Sequence, residues 1–349
     1  MKKTRVYIKE SDNLRASIAT LFHDIGLEKV SGKKVFVKPN MLRTAQPDEN
    51  VVTHPEIISE TVSFLMEAGA DVIVGDNPAP NKRCNELVVA EQCGFLEAAH
   101  GCFRNIGRYP RKVKRLGNIL KEIYVSREIM DCDVLVSLPK FKSHQLTTMS
   151  IAIKNQFGII PGGLKPYIHA LFPKISDFSR VLLEIYNIRP PDLTIVDCIN
   201  IIDATGKRFT PKKIIGGTNG HAIDYTCALM AGINPYRIPT LAIAKDENLF
   251  DPMAIEYHGE IEKIKGYSVP FGFPLRNSIV EFVARILYRI WLSGAPVIDS
   301  SLCSRCMSCE NVCPKRAIRN QIIDYRKCIK CYCCLEVCPN QAIKTKFRL

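Results

Sequence analysis

Eight cysteines in this chain fall into two runs of one spacing. Cys303, Cys306, Cys309 and Cys313 are followed by Pro314, and Cys328, Cys331, Cys334 and Cys338 by Pro339. Both runs read C-x2-C-x2-C-x3-C-P. Nothing else in the sequence restricts the backbone so tightly, because thiols at that spacing serve best when the chain wraps them around a common centre. Disulfide pairing is the weaker use. The start, MKKTRVYIKESDNLR, has no apolar run behind its basic residues and does not read as a secretory leader. No stretch holds the roughly eighteen uninterrupted apolar residues of a membrane span. We therefore expect a cytoplasmic protein, where thiols stay reduced and fifteen cysteines are not a disulfide framework.

Zinc prefers tetrahedral sites built from separated C-x2-C pairs, often with histidine. Here the cysteines come in fours, and no histidine lies between Ser301 and Leu349. A radical-type cluster that binds S-adenosylmethionine takes C-x3-C-x2-C, and no triplet here has it. Three thiolates two residues apart can instead fold around one face of a cubic cluster, with a fourth supplied from elsewhere. The tail thus resembles a bacterial-type ferredoxin module holding two [4Fe–4S] clusters, in which the fourth cysteine of each run serves the other cluster. By that resemblance Cys303, Cys306, Cys309 and Cys338 would hold one cluster, and Cys328, Cys331, Cys334 and Cys313 the other. Cys333 is read as a bystander, since the spacing is complete without it. The repeat implies near two-fold symmetry, with a short apolar strand in each half at Ala317-Ile318 and Ala342-Ile343.

Residues 301–349 carry ten Lys and Arg against Glu310, Asp324 and Glu336, a net of +7 out of +13 for the chain. Two clusters at roughly −2 each would offset part of that excess. This weakens any case for nucleic acid. A basic surface still favours acidic partners.

Before the tail, short apolar runs alternate with helical patterns. Strands are expected at Arg5–Ile8, Val35–Val37, Val72–Gly75, Val134–Leu138, Leu193–Val196 and Lys213–Gly216. Between them, Pro55–Ala68 places Ile58, Val62 and Met66 at i, i+4 and i+8, with Pro55 in a first turn and Gly69 as a stop. A further helix should open near Asn219 or Gly220, with Asp224 in its first turns. This is an α/β body, a mostly parallel sheet covered by helices, with a small α+β ferredoxin-like module appended. We divide the chain into a body (1–267), a linker and docking helix (268–298) and the cysteine module (299–349).

Ligands of such sheets sit beyond the carboxyl ends of the strands. There the sequence offers Lys38 and Asn40, then Asp76 and Asn77, then Lys140, Lys142 and His144, then Asp197. Over the 43 residues from Val134 to Ser176 stand five lysines, among them Lys140, Lys142, Lys154 and Lys165, and two histidines, His144 and His169, with no Asp or Glu. About four acids would be expected at the chain's average frequency. Gly158, Gly162 and Gly163 would let backbone approach a ligand closely. We read an anion site, with Lys38, Asn40, Asp76, Lys154, Asn155 and Asp197 as binding residues. Lys140, Lys142 and His144 are the candidates for chemistry. His144 would exchange a proton, and Asp76 or Asp197 would orient a lysine. His221 is read as a surface residue and His54 as a cap or a ligand. The six cysteines outside the tail (84, 93, 102, 132, 198, 227) have no ligand spacing and read as small buried hydrophobes.

No G-x-G-x-x-G opens a helix after the first strand, which argues against a nicotinamide dinucleotide. Neither a phosphate loop of the type G-x4-G-K-[ST] nor a G-x-S-x-G elbow is present. No flavin motif is assigned. The Pro- and Gly-rich stretch 268–275 marks a boundary, after which Ser278 and Glu281 would cap a helix with a wide apolar stripe. We read residues 277–293 as a helix docked on the body rather than one lying on a membrane surface.

The segments "VFVKPNML", "THPEII", "EAGADVIVGDNP", "LPKFKSH", "AIKNQFGIIPG" and "LTIVDCI" resemble the family catalogued as domain of unknown function 362, whose members often end in the same double ferredoxin motif. The resemblance covers nearly the whole chain. The family has an Asp in the segment matching "GGTNGHAID", where this chain has Asn219. It implies an iron–sulfur protein and supplies no substrate. Our expectation is an oxidoreductase that takes electrons from an external donor protein and passes them from two [4Fe–4S] clusters to a small anionic substrate or cofactor. The alternative is a non-catalytic electron-transfer subunit that docks an acidic partner. Nucleic acid ranks last, because aromatic residues do not interleave with the basic ones.

Overall fold

The computed structural model describes residues 3–78, 86–114, 117–270, 295–313, 315–328, 333–336, 338, 340 and 342–346. All six expected strands form, and with Ile255–His258 they make one seven-stranded sheet. Its order is Ile255–His258, Thr4–Glu10, Lys213–Gly217, Leu193–Cys198, Val134–Leu138, Lys34–Pro39, Asp71–Val74. The last four strands are mutually parallel. Lys213–Gly217 runs antiparallel to both of its neighbours, and Ile255–His258 runs parallel to Thr4–Glu10.

The period of two along each strand sorts side chains to opposite faces. Val35, Val37, Val134 and Val136 join one core with the helices Leu14–Ile25 and Pro55–Glu67. Phe36 and Leu135 point the other way, into a core with the helix Ile175–Tyr186. Val196 and Ile215 reach a third core with the helix Gly220–Met230. Helices thus cover both faces, as near-continuous apolar strands require.

The helix Pro55–Glu67 starts at Pro55, and the His54 ring accepts the Glu56 amide. Gly69 takes a left-handed φ of 77° just beyond its end. Ile57, Ile58, Val62 and Leu65 are buried, but Met66 is half-exposed. Eight residues turn a helix well past two full turns, so the expected i+8 position has rotated off the apolar face. The helix Gly220–Met230 opens at an Asn219 cap, as read from the sequence.

In the module, Ala295–Ile298 pairs antiparallel with Ile343–Lys346, and Ile318–Arg319 with Ile322–Ile323. Ala317 and Ala342, expected to begin matching strands, are both buried. The expected docking helix, residues 277–293, lies outside the described residues, as do Cys84 and Cys331. Among the described residues no helix is long and apolar enough to cross a membrane.

Candidate functional site

The parallel strands end at one edge, and they deliver buried charge there in pairs. Lys38, at the end of Lys34–Pro39, meets Asp76 beyond Asp71–Val74, with Nζ 2.7 Å from Oδ1. Lys140, just past Val134–Leu138, meets Asp197 of Leu193–Cys198 at 2.7 Å. All four side chains are buried. Asp76 Oδ2 also accepts the Met41 amide, and Asp197 accepts those of His54 and Ile199. Each carboxylate therefore ties a lysine to a loop leaving the sheet. A buried pair of this kind is stable only with its remaining lone pairs satisfied.

In the next layer outward, Lys142 and Lys154 have no carboxylate within ion-pair distance among the described residues. Lys142 Nζ donates to Asn40 Oδ1 at 2.5 Å and to the Val51 carbonyl at 3.0 Å. Asn40 donates to Asn155 Oδ1, and Asn155 in turn donates to Ser137 Oγ and to the Lys38 carbonyl. Burial, with Lys154 next in weight, pushes the Lys142 ammonium down to about 7. Lys154 is half-buried on the short helix Ala152–Asn155, where burial and then Lys165 push it down to about 8. Lys154 and Lys165 both approach the Phe157 ring, 5.9 and 6.0 Å from its centroid.

His144 lies on the strand Lys142–His144. Its Nδ1 accepts the Leu146 and Thr147 amides, each at 3.2 Å. The ring proton therefore sits on Nε2. Burial first, then Lys154 and Lys142, drive its pKa down to about 2. The ring is a neutral donor at physiological pH, not the residue titrating near neutrality that its type alone had led us to expect. His169, stacked on Phe178 at 4.3 Å, is likewise pushed down to about 4 by burial and then Lys154.

Asp224, expected only as an acid in the first turns of its own helix, is a buried acid that organises this edge. Asp224 Oδ1 accepts the Ala152 amide at 2.7 Å, at the start of the helix carrying Lys154 and Asn155. Burial raises its carboxyl to about 7, against the bonds it accepts from the Ala152 and Ile153 amides. Asn219 acts as a cap, accepting the His221 and Ala222 amides. His221 is buried between Tyr186 and Phe250, which corrects the expectation of a surface position. Its polar sequence neighbours concealed aromatic partners that arrive from other elements.

The cysteine module contacts the body close to this edge. Tyr124, on the strand Glu122–Ser126, donates its hydroxyl to the Asn311 carbonyl. Lys315 lies 5.7 Å from the centroid of the Tyr167 ring. Tyr167 belongs to the helix Leu164–Leu171, which also carries Lys165 and His169.

Within the module, Cys303, Cys306, Cys309 and Cys338 line one cavity of about 370 Å³, including its open mouth. The three close cysteines and the distant one thus face a common space. Arg305 and Met307 between them take left-handed φ values of 56° and 59°, which wraps the backbone around it. The Ala317 amide donates to Cys313 Sγ and the Ala342 amide to Cys338 Sγ, both at 3.2 Å. Cys313, Cys328, Cys334 and Cys338 all pack against one small apolar core. Among the described residues no three Cys, His, Asp or Glu side chains converge tightly enough to hold a single metal ion. Thiols spread around a cavity suit a cluster better than a mononuclear zinc site.

The sequence matches the domain of unknown function 362 over residues 35–229, and the 4Fe-4S binding domain twice, over 296–319 and 322–344. This chain belongs to the domain of unknown function 362 family. The 362 match takes in every residue of the cationic edge, and the two ferredoxin-type matches fit two [4Fe–4S] clusters. Over 307 residues the chain is 30% identical to the thylakoid-associated protein sll1697 of Synechocystis sp., covering 80% of this chain and 92% of that one. The lactate racemase apoprotein of Thermoanaerobacterium thermosaccharolyticum superposes with a TM-score of 0.42 at 14% identity, over 67% of this chain and 58% of that one. A Thermotoga maritima protein solved by structural genomics superposes with a TM-score of 0.41 at 16% identity, over 64% and 59%. The chain spans less than two thirds of the length of either solved structure.

Proposed function

We propose that this 362-family protein is an iron–sulfur oxidoreductase that reduces a small anion held at the cationic edge of its sheet. The bridging role of one helix carries the reading. Leu164–Leu171 turns Tyr167 toward Lys315 of the module while its Lys165 and His169 belong to the cationic edge. Bound [4Fe–4S] clusters supply single electrons, with potentials set by their surroundings. The residues of the body do the rest.

Lys142, Lys154 and Lys165 attract and neutralise the anion. The neutral His144 offers an Nε2 proton as a hydrogen-bond donor. Lys38 and Lys140 are already paired with carboxylates, so their role is to fix the loops that bear Asn40 and Lys142. Lys142 and Lys154, with ammonium pKa values of about 7 and about 8, are matched to deliver a proton with each electron that arrives. The reading includes an external one-electron donor and a reducing compartment such as the cytoplasm.

The test is anaerobic. The chain is reconstituted with iron and sulfide, reduced with dithionite, freed of excess reductant and offered a panel of anionic acceptors. Lys154→Ala and Lys142→Ala should slow cluster reoxidation by an active acceptor about tenfold or more. Unchanged reoxidation by every active acceptor in both variants would remove the cationic edge from the reaction.

A further inference from the structure

Two parts of the cysteine module differ. Asn311 and Lys315 meet the body. The cavity of Cys303, Cys306, Cys309 and Cys338, lined also by Glu310 beside Asn311, opens to solvent at Cys306. Cys306 is the exposed one among the described cysteines. Around it stand large apolar side chains turned outward: Leu302 is 44% exposed, Met307 52% and Ile322 73%. Met307 lines the cavity, and Ile322 follows Gln321, which also lines it. Arg305 lines it too and is exposed, as is Arg319 on the adjoining short strand.

An apolar group next to one thiol of a redox centre, with Arg305 exposed beside it and Arg319 nearby, is poor design for a surface that meets only water. It is a good design for brief contact with another redox protein. Apolar contact excludes water over the shortest route to the centre, and the charge steers encounter. The sign of the charge selects the occupant. Residues 301–349 of the module are basic by sequence at +7, and two clusters at roughly −2 each leave them so. A second copy of this chain is itself at +13 and would be repelled. An anionic lipid surface would cover Cys306 and bring no electron to it.

We infer that the face around Cys306 is the docking site for an acidic one-electron carrier protein. Electrons enter there and leave past Lys315 toward the body. The carrier loses one electron in each encounter, and the centre nearest Cys306 gains it, with no bond made or broken. This rests on the oxidoreductase reading for the direction of flow but not for the docking itself.

The test uses the full chain reconstituted with iron and sulfide and an acidic plant-type [2Fe–2S] ferredoxin as the probe. Two quantities are read: the dissociation constant at low and high salt, and the rate at which prereduced ferredoxin bleaches the chain's visible absorbance. No small-molecule acceptor is present, so failure of the cationic edge to bind an anion cannot affect either. Arg305→Glu should weaken binding about tenfold at low salt and slow bleaching in step, and high salt should erase most of the difference. Met307→Ser, neutral in charge, should weaken binding at both salt concentrations. Lys33→Glu, an equal charge change at an exposed residue on the far edge of the sheet, should leave binding as it was. Variants are compared at equal iron content. Wild-type affinity in both Arg305→Glu and Met307→Ser would overturn the assignment, as would an equal loss in Lys33→Glu. So would no ferredoxin binding at all, or variants that alter self-association or adhesion to anionic vesicles in its place.

Discussion

A methyl group placed on Gly158 would stand 2.0 Å from Asp76 Oδ1 and 2.6 Å from Lys38 Nζ. The glycine backbone lies directly against the buried ion pair, and its carbonyl accepts the Asn77 side chain. Both partners are held by a further bond: Lys38 Nζ donates to the Pro39 carbonyl, and Asp76 accepts the Met41 amide. Gly158→Ala should therefore part Lys38 from Asp76 and cost about 2 kcal/mol or more. Urea unfolding of the variant at fixed cluster loading reads this as a lower midpoint. A midpoint equal to wild type would mean that the pair is free to shift.

Asp224 should reveal itself in the pH dependence of stability. Its folded carboxyl titrates at about 7, against 3.8 for an ordinary aspartate. Between those values the folded chain holds a proton that the unfolded chain has released. Stability from this group is thus greatest below the ordinary value and falls as pH rises through about 7, by roughly 1.4 kcal/mol per unit at its steepest. Asp224→Asn removes the titration while keeping an oxygen for the Ala152 amide. The difference between wild-type and variant unfolding curves should slope downward from pH 4 to 7 and level off above. A flat difference would place the carboxyl in contact with water.

The parts of this architecture legible in the sequence were those set by local pattern. Val134–Leu138 and Leu193–Cys198 are near-continuous apolar runs, broken only by Ser137 and by Thr194 and Asp197, and such runs at this spacing have few other uses. Strand direction was not legible, because a period of two reads the same both ways. Hence the antiparallel placement of Lys213–Gly217 had no local signal. The acid-free stretch from Val134 to Ser176 pointed to the site but hid its internal order. The carboxylates that pair Lys38 and Lys140 come from Asp76, just past a neighbouring strand, and Asp197, on another. Only the fold separates those two paired lysines from Lys142 and Lys154. Asp224 was read as a first-turn acid on its own helix, whereas it serves the start of a different one.

Lys154 should be the most reactive of the site lysines toward an amine-selective reagent. It is half-buried, with an ammonium lowered to about 8 from 10.5. Lys38 and Lys140 are buried in ion pairs and shielded. Competitive labelling with acetic anhydride, followed by mass spectrometry, should give Lys154 a half-maximal rate near pH 8, because only the neutral amine attacks. Reactivity that keeps rising to pH 10 would show an ordinary solvated lysine. Protection of Lys154 by an anionic acceptor would link the same amine to the proposed reaction.

The exchange of fourth cysteines between the two runs makes a sharper claim than cluster binding itself. The cavity that joins Cys338 to Cys303, Cys306 and Cys309 places it with the first run, 25 residues or more away in sequence. Loss of Cys338 should then release the centre held by the first run and spare the one assigned to Cys328, Cys331, Cys334 and Cys313. Iron content of Cys338→Ser should fall by roughly half. The double variant Cys303→Ser/Cys338→Ser decides between topologies. If both residues serve one centre, the second substitution removes nothing further, and the double variant keeps the iron of either single one. If each run closed its own centre, the two substitutions would strike different clusters and nearly all the iron would go. Cys333→Ser, outside both sets, should keep its full complement. Non-additivity of this kind reads connectivity directly, because residues that act as a unit cannot be lost twice.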